Sequence, residues 1–420
     1  MTDENGEVET ELLQGDCMTV LDKLEADSVH AIVTDPPYNF DDGFRGQKWD
    51  DIGTAEDYQR FNERWSKKAM RVLKPGGHLL SFSSDQTFHR MFTGVEDAGY
   101  TIRGTLLWLH GEGFPKGDDI SKKIDKKNGA ERYTKAANDD SDSDIHYATG
   151  PVTEEAKRWD GFNTQLKPAF EPVTLARAPL SENSITNNVL EHGTGALNIG
   201  GCRLATGDVC SDGHVDESKR SELSGNDRSL SGEADVQPQK HENVEGGPEQ
   251  GRYPANVMLD EQAAEQLDEQ SGTSVSRVDW GQDGGFGKSN VYADGRVGLH
   301  SVSGYNDEGG ASRFFYTSKA SKSERTVDGA VENTHPTVKP IDLMEWLVRL
   351  VTAEGQTVLD PFMGSGTTQM ACYNTGRDSI GIEADEKSFE IAEQRIEANG
   401  DNPESVGSYP DHIINDPLDV

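Results

Sequence analysis

The sequence predicts an α/β protein built on a doubly wound, mainly parallel sheet, and three observations carry that prediction. Val29-His30-Ala31-Ile32-Val33 is short, apolar and β-branched, the pattern of a strand buried on both faces. Thr357-Val358-Leu359-Asp360 is a second such run, and it leads through Gly364-Ser365-Gly366 and a helix to a third strand, Asp378–Glu383. Between strands lie segments with apolar residues at helical spacing, such as Tyr58, Phe61, Trp65, Ala69 and Val72.

In chain order, Glu11–Cys17 reads as a short strand ending in Gly15-Asp16, with a helix from Met18 to Leu24. The strand at Val29 opens into Thr34-Asp35-Pro36-Pro37-Tyr38-Asn39-Phe40. A polar loop follows, Asp41 to Thr54, with Arg45, Lys48 and Trp49; its length suits a flap over substrate or cofactor, or a plain surface loop with one packed Trp. Glu56–Leu73 is a helix broken by Lys74-Pro75-Gly76-Gly77, and His78–Phe82 is the next strand. Arg90–Ala98 is a helix. Thr101–Leu109 is a strand expected in an antiparallel hairpin that closes the sheet, with Trp108 in the core.

From Gly111 the composition changes. Lys116, Lys122, Lys123, Lys126 and Lys127 form a basic island, either tracking phosphates or a solvated helix face paired with local Asp residues. Trp159–Phe162 and Leu166–Arg177 are rich in aromatics and proline, the second with a strand-like end. Gly195–Ile199 and Gly251–Val257 read as ordered islands, while Ser211–Gln250 and Gly272–Gly310 read as flexible. Arg313-Phe314-Phe315-Tyr316 is either a stacking surface or a buried strand, followed by Lys319, Lys322 and Arg325. Thr334-His335-Pro336-Thr337-Val338-Lys339-Pro340 is a rigid turn before a helix over Ile341–Thr352. Helices over Thr368–Thr375 and Lys387–Asn399 complete the series, and the acidic tail reads as mobile.

The chain has 420 residues and a formal net charge of −35, with a pI near 4.6. An acidic protein that avoids nucleic acid is one explanation. The other is a protein from a very salty cytoplasm, and the scatter of carboxylates along the whole chain, with Lys sparse, favours it. At molar salt counterion release drives little binding, so base contacts and stacking carry more of any affinity for DNA. Four cysteines (Cys17, Cys202, Cys210, Cys372) do not make a disulfide framework or a metal knuckle in a chain this size. The N-terminus lacks a signal-peptide core and no apolar run approaches 18 residues, so the expectation is a cytoplasmic protein with no membrane span.

Asp35-Pro36-Pro37-Tyr38 sits where a strand's carboxyl end opens into a loop, the place where open α/β sheets hold ligands. The exocyclic amine of a nucleobase is a poor nucleophile, because its lone pair is delocalised into the ring. Two acceptors aimed at its hydrogens, the Asp35 carboxylate and the Pro36 carbonyl, would draw the nitrogen toward a tetrahedral shape and free that lone pair. Two prolines hold the loop rigid. Tyr38 offers a ring on which a base rotated out of the duplex could stack. A proline-stiffened turn with an exposed Tyr is the bland alternative. At Asp360-Pro361-Phe362-Met363-Gly364-Ser365-Gly366-Thr367, the glycines let backbone approach a ligand closely, and no phosphate-cradling Lys follows. A carboxylate there suits a cofactor's ammonium, and Glu383, about 20 residues past the turn, suits ribose hydroxyls.

These two motifs resemble those of the amino-methyltransferases of DNA, which make N6-methyladenine or N4-methylcytosine. The resemblance covers about 180 residues of framework. It implies a seven-stranded, Rossmann-like methyltransferase sheet and S-adenosylmethionine as cofactor. With the acceptor motif first, a long insertion, then the cofactor motif, the order is that of the circularly permuted beta group. Residues 1–110 then form the catalytic half and 111–330 a target-recognition insertion with flexible acidic segments. Residues 331–400 form the cofactor half of the same sheet, and 401–420 an acidic tail. "LKPAFEPVTLARAPL", "GRYPANV" and "SRFFYTSKASKSER" resemble a phage-type and mobile-element branch.

By the same resemblance Asp16 bonds the cofactor's adenine amine, though by itself it reads as an N-cap. Thr337 and Lys339 contact the methionine end, and Asp360, Pro361, Phe362, Gly364, Ser365, Gly366, Thr367 and Glu383 complete the cofactor site. Asp35, Pro36, Pro37 and Tyr38 are the catalytic set. No metal is implied. Double-stranded DNA is the partner; a homodimer and a cognate restriction endonuclease stay open. Asp in the first motif position leans toward adenine, with N4-cytosine the alternative. A protein-glutamine methyltransferase is disfavoured by the Asp and by the motif order. A catalytically silent DNA-binding protein is disfavoured by the intact Asp35 and Asp360.

Overall fold

The computed structural model describes residues 8–40, 48–111, 117–135, 146–148, 150–204, 251–276, 307–318, 324–327, 329–335 and 337–400. Ser211–Gln250, most of Gly272–Gly310, most of the loop after Phe40, Lys116, Lys319, Lys322 and the tail lie outside the described residues. The chain divides into two compact units: residues 1–109 with 171–420, and residues 110–170.

The strands are β1 (Thr10–Gln14), β2 (Val29–Thr34), β3 (Leu73–Phe82), β4 (Thr101–Leu109), β5 (Tyr133–Lys135), β6 (His146–Ala148), β7 (Phe170–Arg177), β8 (Val257–Asp260), β9 (Ser274–Ser276), β10 (Asp307–Gly309), β11 (Tyr316–Ser318), β12 (Thr357–Asp360) and β13 (Asp378–Glu383). Nine of them form one sheet in the order β1-β13-β12-β2-β3-β7-β4-β8-β11. From β1 to β3 every neighbour is parallel. β7 runs antiparallel to β3, and β8 is parallel to both β4 and β11. The first seven strands are the expected sheet. β8 and β11 enlarge it, because β8 pairs along the outer edge of β4, which would otherwise present unmet backbone donors and acceptors. β4 closes the expected seven strands beside its neighbour β7, which runs antiparallel to β3, and residues 110–169 lie between the two strands in place of a short turn. β7, β8 and β11 all fall within 111–330 yet belong to the main unit.

Alternation at period two sends side chains into separate cores on the two faces. Ala31, Val33, Leu80, Phe82, Leu175 and Val358 meet the Ile341–Val351 helix through Leu343, Trp346, Leu347 and Leu350. Ile32, Leu79, Ala176, Leu359 and Ile382 meet the Ala55–Val72 and Phe88–Asp97 helices through Trp65, Ala69, Val72, Met91 and Val95. The Ala55–Val72 helix starts at a capping box, Thr54 with Asp57. Its buried face includes two polar residues: Trp65 Nε1 donates to Asn62 Oδ1 at 2.9 Å, and Ser66 Oγ donates to the Asn62 carbonyl at 2.6 Å.

The 110–170 unit holds two short helices, Ile120–Lys127 and Glu154–Arg158, and the antiparallel pair β5–β6. Buried Asp125 organises it, accepting from Arg132 Nε at 2.5 Å, the Val152 and Thr153 amides at 2.9 Å and Thr153 Oγ1 at 2.7 Å. On its surface Lys123 pairs with Asp118 at 3.0 Å. Trp159 and Phe162 are about half exposed and pack edge to face with centroids 5.1 Å apart.

Candidate active site

The two motif loops leave the carboxyl ends of adjacent parallel strands. β12 pairs with β2 through Val358↔Ala31 and Leu359↔Ile32. Just beyond that register Thr34 Oγ1 donates to Asp360 Oδ1 at 2.6 Å, a fully buried link between residues 326 positions apart. Asp360 also accepts from the Phe362 amide at 3.0 Å and from Thr368 Oγ1 at 2.6 Å. Burial pushes its pKa up to about 6 against the pull of those donors. Its carboxylate therefore clasps the two halves and the following helix.

The acceptor loop is pinned from both sides. The Asp50 carboxylate accepts three successive amides, from Tyr38 (2.6 Å), Asn39 (3.0 Å) and Phe40 (3.2 Å). Asn39, in the left-handed region at φ 57°, takes the Ile52 and Gly53 amides on its Oδ1. The Pro37 carbonyl accepts from Tyr58 Oη and the Tyr38 carbonyl from Thr87 Oγ1. Among the described residues none donates to the Pro36 carbonyl.

At the loop's tip four charged or phenolic groups converge. Asp35 Oδ2 accepts from Lys339 Nζ at 2.6 Å, and Asp35 Oδ1 accepts from Tyr38 Oη at 2.7 Å. Glu171, at the start of β7, lies 3.1 Å from Tyr38 Oη and 3.3 Å from Lys339 Nζ. The ammonium also sits 4.8 Å from the Phe82 ring centroid. Burial pulls the Lys339 pKa down, but Asp35 and Glu171 outweigh that and raise it. Burial, then Asp35 and Glu171, raise the Tyr38 phenol well above its usual range. Lys339, expected at the methionine end of a cofactor, thus engages the acceptor motif.

The glycine turn is braced internally. Gly364 adopts φ 56°, and a Cβ there would stand 3.2 Å from His335 Nε2. Its amide donates to Glu383 Oε2 at 2.8 Å, while Glu383 Oε1 accepts the Asp385 amide at 2.8 Å. Gly366 serves helix packing: a Cβ would meet Ala392 at 3.1 Å and Ile396 at 3.2 Å. Ser365 and Thr367 are tied to buried Arg395, which reaches the Ser365 carbonyl at 2.5 Å and Thr367 Oγ1 at 3.2 Å. Burial lowers that guanidinium's pKa to about 10.

One cavity of about 800 Å³ spans both halves, within the size range of small-molecule sites. Of the residues singled out in the sequence, Asp16, Asp35, Pro37, Thr337, Lys339, Asp360, Pro361, Phe362, Gly364, Ser365, Thr367 and Glu383 line it; Pro36, Tyr38 and Gly366 do not. Asp16 is also the N-cap of the Cys17–Val20 helix, accepting the Thr19 amide at 3.2 Å. Phe61 and Phe362 form an apolar wall, Phe362 seated edge-on against Trp65 at 5.4 Å. The carboxylates of Asp16, Asp35, Asp360, Glu383 and Asp385 face only Lys339 and Lys387, so the site suits a cationic ligand. Cys17 lines the cavity, but burial and then Asp16 push its thiol up to about 12, which leaves it no nucleophile.

Sequence reasoning missed Glu171, His335, Asp50 and Phe61. His335 lay inside the quoted turn and Glu171 inside the quoted LKPAFEPVTLARAPL stretch, neither with a role assigned. The stretch from Arg313 divides: Tyr316 is buried and stacks on Trp346 at 5.3 Å, whereas Phe314 is exposed with the Arg252 and Arg313 guanidinia 4.8 and 4.4 Å from its centroid. Among the described residues no group of His, Cys, Asp or Glu could hold a metal ion, and no helix is long and apolar enough to cross a membrane.

The N6/N4 DNA methylase family model matches residues 29–177 and 235–394. The type II methyltransferase M.HindIII of Haemophilus influenzae is 22% identical over 92% of this chain and 94% of its own. The type II methyltransferase M2.DpnII of Streptococcus pneumoniae is 45% identical, but over only 16% of this chain and 25% of its own. Among solved structures, the PvuII DNA methyltransferase (cytosine-N4-specific) aligns over 94% of this chain and 92% of its own at 11% identity and TM-score 0.43. The M1.HpyAVI–SAM complex aligns over 92% and 98% at 14% identity and TM-score 0.39.

Proposed function

Because the chain belongs to the N6/N4 DNA methylase family, we propose that it methylates the N6 amine of adenine in double-stranded DNA, with S-adenosylmethionine as donor and the target base turned out of the duplex. The observation that carries this reading is the Thr34–Asp360 link, which joins the Asp35 loop and the glycine turn on one cavity wall. When bound, S-adenosylmethionine supplies an electrophilic methyl group on a positively charged sulfur. The acidic lining and the close backbone at Gly364 fit such a ligand, with Asp16, Thr337, Glu383 and the Asp360–Thr367 turn as its walls.

The chain's own residues prepare the nucleophile. The Asp35 carboxylate and the Pro36 carbonyl accept the two amine hydrogens and localise the nitrogen's lone pair. Asp50, Tyr58 and Thr87 hold the backbone of that loop in place before a base arrives. The Tyr38 ring gives the base a stacking surface. The amine nitrogen so prepared would accept the methyl that the donor supplies, with the S–CH3 bond broken, the thioether of the spent donor left behind and one N–H proton released to water, and no covalent link between protein and base. Asp in the first motif position favours adenine over cytosine by resemblance.

In the same proposal, the 110–170 unit meets the duplex. Trp159 and Phe162 offer exposed stacking surfaces, and the Lys-rich Ile120–Lys127 helix offers phosphate contacts. The type II relatives fit a modification enzyme, alone or beside a cognate restriction endonuclease. Expression in a host without DNA methylation, followed by sequencing for modified bases, tests base and site together. N6-methyladenine at one DNA word is the expected result; N4-methylcytosine would reassign the base, and unmodified DNA would overturn the proposal.

A further inference from the structure

The acceptor carboxylate is partly engaged as it stands. Asp35 Oδ1 is taken by the Tyr38 hydroxyl at 2.7 Å and Oδ2 by Lys339 at 2.6 Å. Lys339 can stay, since it pairs with the other oxygen. The hydroxyl competes, because the bond that it gives Oδ1 draws on the same oxygen that an amine hydrogen needs. A buried phenol that loses its acceptor is costly, so base entry requires a second acceptor for it.

Glu171 supplies that acceptor. Its Oε2 is 3.1 Å from Tyr38 Oη, on the end of a strand fixed to β3 by the Phe82↔Val173 register. A hydroxyl has one proton and gives it to one oxygen at a time; here the nearer is Asp35. Turning the O–H about its C–O bond moves the hydrogen bond to Glu171 without moving the ring, which Asp50 and Thr87 hold through the Tyr38 backbone. Lys339 lies within 3.3 Å of Glu171 and 3.2 Å of Tyr38 Oη, so one ammonium faces both alternative arrangements. We propose that Glu171 is a positioning residue that takes the Tyr38 hydroxyl from Asp35 when the target base enters, opening Asp35 Oδ1 to the amine. The inference rests on the role of Asp35 as amine acceptor proposed above.

The test is a double-mutant cycle on the full chain, with tritiated S-adenosylmethionine and genomic DNA from a host lacking DNA methylation. Glu171→Met, which keeps the side-chain length and has no oxygen to accept the hydroxyl, is expected to lower kcat roughly tenfold, the scale of one buried hydroxyl left without its acceptor. The KM for S-adenosylmethionine and its calorimetric affinity should stay within twofold. In the Tyr38→Phe background, with no hydroxyl to receive, the same Glu171→Met change should alter kcat by less than twofold. An equal loss in both backgrounds, or an unchanged kcat in Glu171→Met, overturns the inference while leaving the proposed activity intact. A wild-type chain that binds DNA and donor but transfers nothing overturns both. Should Glu171→Met lose donor affinity, Glu171→Leu takes its place in the cycle with the same expectations.

Discussion

Thr34→Val isolates the contact on which the joining of the two halves depends. The substitution keeps side-chain size and removes one hydroxyl, at a residue with no exposed surface. At pH 8 Asp360 is ionised, and the lost bond is a charge-assisted one worth roughly 1.5–3 kcal/mol. With its native pKa raised to about 6 from 3.8, Asp360 contributes stability that is fully present below 3.8 and lost as pH rises through 6. At pH 5 the carboxyl is mostly protonated, and the same deletion removes a neutral bond worth about 1 kcal/mol. The destabilisation by Thr34→Val should therefore roughly halve between pH 8 and pH 5. Urea unfolding at the two pH values, with equal slopes for wild type and variant, measures it. A penalty identical at both pH values, or none at pH 8, would refute the assignment of Asp360 as a buried clasp.

Asp35→Ala should abolish methyl transfer to unmethylated DNA while leaving calorimetric S-adenosylmethionine affinity within a few-fold; retained transfer would rule out the amine-acceptor role. Trp159→Ala with Phe162→Ala should weaken binding of a mixed-sequence 40-base-pair duplex by roughly 5- to 150-fold, the range for one stacked base. Unchanged gel-shift affinity would remove the 110–170 unit from the interface. With a net charge of −35, the melting temperature should rise by several degrees between 0.1 and 2 M KCl as self-repulsion is screened, and a flat or falling curve in calorimetry would contradict the reading of the acidic composition as one suited to high salt.

What the sequence made legible was local. β2 and β12 announce themselves as apolar runs ending at Asp-Pro turns, β13 as the strand that follows the glycine turn and its helix, and the face of the Ala55–Val72 helix is written in its 3.6-residue period. The Lys74-Pro75-Gly76-Gly77 stretch reads as a breaker, yet it lies within β3. There the pairing with β2 slips between Val29 and Ala31, and a Cβ at Gly77 would stand 2.5 Å from Leu73 and 2.8 Å from the His30 carbonyl. The sheet positions of β7, β8 and β11 have no local signal, because their partners are fixed by distant strands. Glu171 was invisible for the same reason: a single Glu before an apolar strand gains meaning only from Lys339 and Tyr38, far away in the chain. Asp16 shows the converse, one carboxylate serving both as helix cap and as cavity wall.

Among the described strands β1 has a single neighbour, β13, so Thr10 waits for Ser379 and Gln14 for Glu383. That pairing joins residues 369 positions apart, and β1 stays without its sheet partner until β13 has been made. Contacts so distant along the chain slow folding, because loop entropy is lost before they stabilise anything. A chain stopped before Asp360 would lack the Thr34–Asp360 link, and with it the glycine-turn wall of the cavity.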